Sequence, residues 1–201
     1  MRNALIHEPQ SDEQLWNALK QDDQDAFAEL YQRFHATLYS YGHKLANNAS
    51  LVEDAIQDLF VDIWRMRRSI SSADSVKFYL FRSLRRKIHL LSEQEHRFET
   101  ADVDASNHTA DSSIEQLLIG QEQESQLTQR LTQAIAQLPL RQQEVVTLRF
   151  YQNFKTEEIA QIMGITEKSV RNTLHKALTH LRDQASYLAP FIGLLLFWLL
   201  A

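Results

Sequence analysis

Lys168, Ser169, Arg171, Asn172, His175 and Lys176 crowd into one short stretch, at steps that return to a single side of a helix. Side chains of these types suit a helix in the DNA major groove, where Arg and Lys read guanine, Asn reads adenine, and Ser or Thr holds phosphate. A second set is plainly cationic: Arg67, Arg68, Lys77, Arg82, Arg85, Arg86 and Lys87 fall in residues 65–97, which carry nine Lys/Arg against three Asp/Glu. Asp54, Asp58, Asp62 and Arg65 recur at steps of four, four and three, which makes them a polar stripe on one helix. Catalytic chemistry has little to stand on. There is no cysteine, so disulfides, cysteine metal sites and cysteine nucleophiles are excluded. The eight histidines are scattered, and His175 and His180 lack further ligands at zinc spacing. Asp22, Asp23 and Asp25 lack the glycine and distal glutamate of a calcium loop and read as a helix start. No Gly-rich phosphate loop occurs. The sequence therefore predicts no catalytic residue, no metal, no cofactor and no enzyme activity.

The Lys168–Lys176 set needs a helix presented on a tight turn, and the sequence supplies one. Thr156 can cap a short helix running to Met163, with Glu157 and Glu158 favourably placed in its first turn. Gly164 suits a left-handed terminator, and Ile165 anchors the turn. Thr166 then caps a second helix that buries Val170, Leu174, Ala177, Leu178 and Leu181. Short helix, glycine turn and longer helix make a helix-turn-helix. Hairpins of this kind also occur in proteins that never touch DNA, and the concentration of contact-capable side chains on one face favours the DNA reading.

Six further helices follow from periodicity and caps. Ser11 with Gln14 forms a capping box for a first helix through Trp16 and Leu19. From Asp25, apolar residues Phe27, Leu30, Tyr31, Phe34, Leu38, Tyr41 and Leu45 recur at threes and fours. Ser50 with Glu53 offers a second capping box, opening a helix with Val52, Ala55, Ile56, Leu59, Phe60 and Ile63 inward. A helix from about Asp74 to Glu95 buries Val76, Leu80, Leu84, Ile88 and Leu91 and displays Arg82, Arg85, Arg86 and Lys87 outward. The stretch FETADVDASNHTADSS, residues 98–113, is small, polar and acidic without period, and reads as a flexible linker. Helix resumes near Ile114 and runs to Leu138, and Pro139 opens another holding Val145, Val146, Leu148 and Phe150. The predicted fold is all-α: two small helical domains, 1–97 and 114–186, joined by the linker, with a hydrophobic tail at 187–201. The net charge of −5 hides alternating blocks, with basic blocks at 65–97 and 131–201 separated by an acidic one at 98–130. That arrangement fits two polyanion-facing surfaces and a repelling spacer, or four solvated helical faces.

LPLRQQEVVTLRFYQNFKTEEIAQIMGITEKSVRNTLHKALTHLR, residues 138–182, resembles region 4 of the sigma-70 family of bacterial transcription initiation factors. DDQDAFAELYQRF from Asp22, VEDAIQDLFVDIWRMRRSI from Val52 and VKFYLFRSLRRKIHLL from Val76 resemble its region 2. The order, linker and length are similar to the small extracytoplasmic-function (ECF) subclass. The resemblance implies a chain that binds core RNA polymerase, recognises the −10 and −35 promoter elements and promotes initiation. It implies that Asp54, Gln57, Asp58, Asp62 and Arg65 dock on the β′ clamp helices. It implies that the loop from Ser69 to Ser75 receives a flipped base, with Arg67, Arg68, Lys77, Arg82, Arg85, Arg86 and Lys87 holding the −10 strand. The −35 contacts would be Thr156, Lys168, Ser169, Arg171, Asn172, His175 and Lys176. Region 4 of similar factors also packs on the β flap, and Arg141, Gln143, Arg149 and Tyr151 are all open for that contact. An inhibitory anti-sigma factor is a further expected partner.

The family pattern does not explain the tail. Phe191 to Ala201 is uncharged, but as a helix it reaches only about 16 Å, against the roughly 30 Å of a bilayer core. A plug against one domain, a shallow membrane or inhibitor contact, and an exposed tag for proteases all stay open. The expected setting is the bacterial cytoplasm, with membrane association in an inhibited state. The rival functions are a stand-alone helix-turn-helix regulator and a helical adaptor that binds no DNA and associates with membrane through its tail.

Overall fold

The computed structural model describes residues 10–70, 75–99 and 122–184. Among them every regular element is helical, as the sequence predicts. The chain divides into two compact units, Met1–Val103 and Asp104–Ala201.

The first unit holds α1 (Asp12–Leu19), α2 (Gln24–Leu45), α3 (Ala49–Met66) and α4 (Val76–Glu99), with α2, α3 and α4 packed against one another and α1 laid on α2 and α4. Its core follows the stripes the periodicity predicts: Leu30, Phe34, Leu38 and Tyr41 from α2, Val52, Ile56, Leu59 and Ile63 from α3, and Val76, Leu80, Leu84 and Ile88 from α4 are all buried. Phe81 is fully buried as well and packs against Tyr41 with ring centres 4.9 Å apart and planes tilted by 36°. Leu91, predicted to be buried, is only half-buried at the far end of its stripe, as are Phe27, Tyr31 and Leu45 on α2. The three long helices close tightly because α2 offers Gly42 where they meet. A Cβ there would lie 2.7 Å from Val52 Cγ1 and 3.0 Å from Ile88 Cδ1. Arg33 of α2 pairs with Asp12 of α1 at 2.6 Å and fixes the first helix from outside.

Caps follow the expected chemistry with one shift of position. Ser11 accepts from the Gln14 N–H and its own N–H donates to the Gln14 side chain, the reciprocal box that the sequence predicts. Asp23 caps α2 by accepting from the N–H groups of Asp25 and Ala26. The Ser50 box is not formed. Asn48 caps α3 two residues earlier, accepting from the Leu51 N–H at 3.2 Å, and Glu53 turns instead to His35 of α2 at 3.1 Å. Asn is as good a cap as Ser, and the earlier start lets Leu51 and Val52 both reach the core.

The second unit holds α5 (Glu122–Ala136), α6 (Leu140–Val146), a π-helical turn (Thr147–Tyr151), α7 (Thr156–Met163) and α8 (Glu167–Gln184). α8 is the element on which α5, α6 and α7 pack. Pro139 precedes α6 directly, and the Gln143 side chain donates to Ala136 O and Leu138 O, closing the turn from α5. The single helix predicted through Phe150 changes to π geometry at Thr147. α4 runs to Glu99, past the predicted end at Glu95 and across the first two residues of the predicted linker. The rest of that linker, the resumption of helix near Ile114, the tail from Tyr187, and residues 71–74 of the loop predicted to receive a flipped base lie outside the described residues.

Candidate nucleic-acid interface

In the second unit the helix-turn-helix is built as the sequence predicts, apart from its first cap. α7 begins with Thr156 as its first helical residue, so Thr156 does not cap it. Lys155 takes the cap position, and its N–H donates to the Glu158 carboxylate at 2.7 Å. Glu158 thus satisfies from inside the helix the donor that a capping hydroxyl would leave alone. Gly164 ends α7 at φ 64°, ψ 38°, a left-handed conformation suited to glycine. The Ile165 N–H donates back to Ala160 O at 2.9 Å. Thr166 Oγ1 accepts from the Ser169 N–H and opens α8.

Val170, Leu174, Ala177, Leu178 and Leu181 are buried, which turns the other side of α8 to solvent. Lys168, Arg171, Asn172, His175 and Lys176 are exposed on that side. Ser169 is half-buried with its hydroxyl 2.9 Å from Thr166 Oγ1, so it serves the cap first. Arg171 pairs with Glu167 one turn back at 3.1 Å, with both side chains well exposed. The face is a row of donors and cations on a rigid helix, the arrangement that major-groove reading requires. Behind it, His180 Nδ1 lies 3.0 Å from the Gln142 side chain and joins α8 to α6.

Of the residues left open for a flap contact, Gln143 is committed to the α5–α6 turn and Arg149 donates to Phe154 O at 3.1 Å. Arg141 and Tyr151 are exposed, as is Leu140, which is 70% exposed. The sequence reading missed Leu140, although an apolar residue directly after a helix-opening proline was its signal.

In the first unit, Asp54, Gln57, Asp58 and Arg65 are exposed on α3, and Asp62 is partly covered. Val61 stands among them, 44% exposed. It was missed because it breaks a charged pattern, yet its spacing from Asp58 and Arg65 places it on that face. Asp62 pairs with Lys87 of α4 at 2.6 Å. The stripe expected to meet polymerase and the face expected to meet the −10 strand therefore adjoin.

The cationic face is less uniform than its composition suggests. Arg82 and Arg86 are exposed one turn apart on α4. Lys77 lies 5.9 Å from the Phe81 ring, and Arg85 is half-buried. Arg67 is largely enclosed: its Nε donates to Asp22 Oδ1 at 2.5 Å, its Nη1 to Trp64 O at 2.6 Å, and its Cζ lies 4.2 Å from the Trp64 ring centre. Arg68 is mostly exposed and grips the same Asp22 carboxylate through Nε and Nη2. Those bonds, with Arg68 the largest contributor, hold the Asp22 carboxyl below its ordinary value against desolvation. The sequence marks Asp22 as part of a helix start and as the first residue of the stretch that resembles region 2, but nothing local ties it to Arg67 and Arg68 so far along the chain. Of the aromatic residues near this face, Trp64, Phe78 and Tyr79 are half-buried. Trp16 and Tyr79 pack at 5.2 Å, and Phe27 and Trp64 at 5.1 Å.

Comparison with known proteins follows the same division. The family model described as Sigma-70 region 2 matches residues 30–96, and that described as Sigma-70, region 4 matches residues 128–181, together more than half of the chain. The RNA polymerase sigma factor SigV of Bacillus subtilis (strain 168) is 27% identical over 154 residues, covering 76% of this chain and 84% of the relative. The ECF RNA polymerase sigma factor SigK of Mycobacterium tuberculosis (strain ATCC 25618 / H37Rv) is 24% identical over 170 residues, 80% of this chain and 86% of the relative. Among solved structures, the sigma factor RpoE of Bartonella quintana, crystallised with the anti-sigma factor NepR, has a TM-score of 0.61 at 19% identity. That match covers 80% of this chain and 96% of the other, and speaks for the fold.

Proposed function

The chain belongs to the sigma-70 family and is a sigma factor of the ECF type, and from that premise we propose how its faces divide the work of starting transcription. The outward stripe of α3, with Asp54, Gln57, Asp58 and Arg65 around Val61, docks on the β′ clamp helices of core RNA polymerase. Carboxylates there speed encounter and set register, and Val61 supplies apolar contact. Asp62 divides its charge between that partner and Lys87. Arg82 and Arg86 hold phosphates of the −10 strand, with Lys77, Arg85 and Lys87 adding to the local field. Arg67 and Arg68 frame the loop that receives the flipped base, which must recover a few kcal/mol of unstacking through contacts in its pocket.

α8 reads the −35 element through Lys168, Arg171, Asn172, His175 and Lys176, while Ser169 and Thr156 lie near the phosphates on either side of the turn. Leu140, Arg141 and Tyr151 form the contact with the β flap. An anti-sigma protein is an expected inhibitor, since the structurally similar RpoE was crystallised with one. Its sites of action place the chain in the cytoplasm, and the tail from Phe191 is a candidate contact for a membrane or an inhibitor. Among the described residues no helix is long and apolar enough to cross a membrane.

The observation that carries this reading is the presence, in one chain, of a donor-lined helix-turn-helix and a second cationic face that adjoins a polar docking stripe. A regulator that binds duplex operators alone has no use for that stripe. The test is to add the purified chain to core RNA polymerase with genomic DNA fragments and to sequence the 5′ ends of the transcripts. Discrete new starts that share two upstream elements are expected. Absence of both polymerase binding and new starts would overturn the proposal.

A further inference from the structure

We propose that Asp22 is a positioning residue for promoter opening: its carboxylate clamps Arg67 and Arg68 and thereby sets the near limb of the −10 loop. This inference rests on the reading of that loop given above. Asp22 lies ahead of residues 30–96, the span of the region 2 match, whereas Arg67 and Arg68 lie within it.

The turn that presents Asp22 is specific. Its backbone is left-handed at φ 70°, a conformation that Asp adopts more readily than most residues. The turn is closed by N–H bonds from Gln21 and Asp23 to Ala18 O and from Asp22 to Leu19 O. The next residue, Asp23, caps α2, so the carboxylate is aimed from a fixed base. Opposite it, the end of α3 is equally fixed. Arg67 has its Nε, its Nη1 and one guanidinium face taken up by Asp22, Trp64 O and the Trp64 ring, and Trp64 in turn packs on Phe27 of α2. Beyond the two arginines, the Ser69 and Ile70 N–H groups and the Ser69 hydroxyl all converge on Met66 O.

This is the geometry of a strut. An acid that merely neutralised the basic face would meet exposed cations such as Arg82 and Arg86. Asp22 instead holds a half-enclosed arginine and grips its mostly exposed neighbour through two donors. A carboxylate shared by two guanidiniums fixes direction as well as charge. Residues 67–70 thus leave α3 on one path, and Arg68 is held at the mouth of the loop.

The test uses holoenzyme assembled from the full chain and core polymerase. The probe is a fluorescent single-stranded oligonucleotide carrying the −10 sequence recovered from start-site mapping. It is compared with copies made abasic at each position in turn. Asp22→Asn and Asp22→Gly both tolerate the left-handed turn, so each removes the carboxylate while leaving the backbone its conformation. Wild type is expected to show one position where loss of the base weakens binding most. In both variants that selectivity should fall by about tenfold, toward equal binding of intact and abasic strands, with polymerase affinity unchanged. A general loss of stability would weaken both strands alike. Retained selectivity in both variants would overturn the proposal, and so would tighter binding with selectivity kept, which is the signature of a masking acid. Loss of polymerase binding in both variants would make Asp22 a folding element and would also overturn it. If wild type itself shows no such position, the reading of the loop fails before that of Asp22.

Discussion

On α8, Arg171 answers to Glu167 one turn away on the same helix, whereas at the end of α3 Arg67 and Arg68 answer to Asp22 from the turn between α1 and α2. The first arrangement is local and exposed. Helix pairs of that kind are worth only about 0.3–0.5 kcal/mol, so Arg171 can be redirected to a base edge at little cost. The second is tertiary: its arginines are tied to the fold before any nucleic acid arrives. Similar side chains thus serve different ends. On the proposed reading, α8 presents cations as readers, while the base of the −10 loop uses two of them to hold a shape and leaves phosphate binding to Arg82 and Arg86 on α4.

The largest effect expected from breaking one side of this contrast is at α8. Arg171→Glu with Lys176→Glu should reduce transcription from a promoter that depends on its −35 element by at least about thirtyfold, given 1–3 kcal/mol per specific contact. Binding of the single-stranded −10 oligonucleotide by the same holoenzyme should be unchanged, and a parallel loss there would show that the two faces are not separable. Next in size is a change confined to the first unit. Gly42→Ala places a methyl group 2.7 Å from Val52 Cγ1, and overpacking of this kind costs about 1–3 kcal/mol. Denaturant unfolding should show the loss in the first unit's transition, with the second unit's left where it was.

A smaller change should act on the second unit in the opposite direction. Thr147 is buried in the π-helical turn, and its hydroxyl has no hydrogen-bond partner among the described residues. Thr147→Val removes that buried oxygen at nearly constant shape and should raise stability by about 1 kcal/mol in the same unfolding experiment; a loss of that size would count against the burial described. The smallest effect concerns Asp22. Arg68's hydrogen bonds, with help from Arg67, depress its carboxyl below 3.8, the ordinary value, against desolvation. A depressed folded-state pKa gives a contribution that is present above the ordinary value and is lost as pH falls through the depressed one. The difference in melting temperature between wild type and Asp22→Asn should therefore be open at neutral pH and close in acid. If it stayed constant into acid, the clamp would not be electrostatic.

The same contrast between local and tertiary accounts for what could be read from the sequence. The stripes of α2, α3 and α4, the Ser11 box, the Gly164 terminator and the Thr166 cap are decided within a few residues, and they stand where the spacing put them. The exposed face of α8 follows from its buried one. What escaped was decided by partners far along the chain. Ser50 with Glu53 was a sound local box, but Glu53 is drawn to His35 on α2 and Asn48 takes the cap. One miss was local: Lys155 displaces Thr156 because Glu158, three residues on, serves the exposed N–H from within the helix. The pairing of Asp62 with Lys87 joins two sets of residues that the sequence kept apart, and Asp22 reaches the end of α3 from the turn between α1 and α2.

The central claim is that two faces, on separate units, read two elements of one promoter. The most direct measurement is a footprint of the holoenzyme on a promoter recovered by start-site mapping, with permanganate reactivity reporting strand opening. Wild type should be compared with Arg171→Glu/Lys176→Glu and with Arg82→Glu/Arg86→Glu. The account predicts that the α8 variant loses upstream protection, and that the α4 variant keeps it but fails to open the −10 region. Identical footprints from the two variants, whether both intact or both lost throughout, would contradict it.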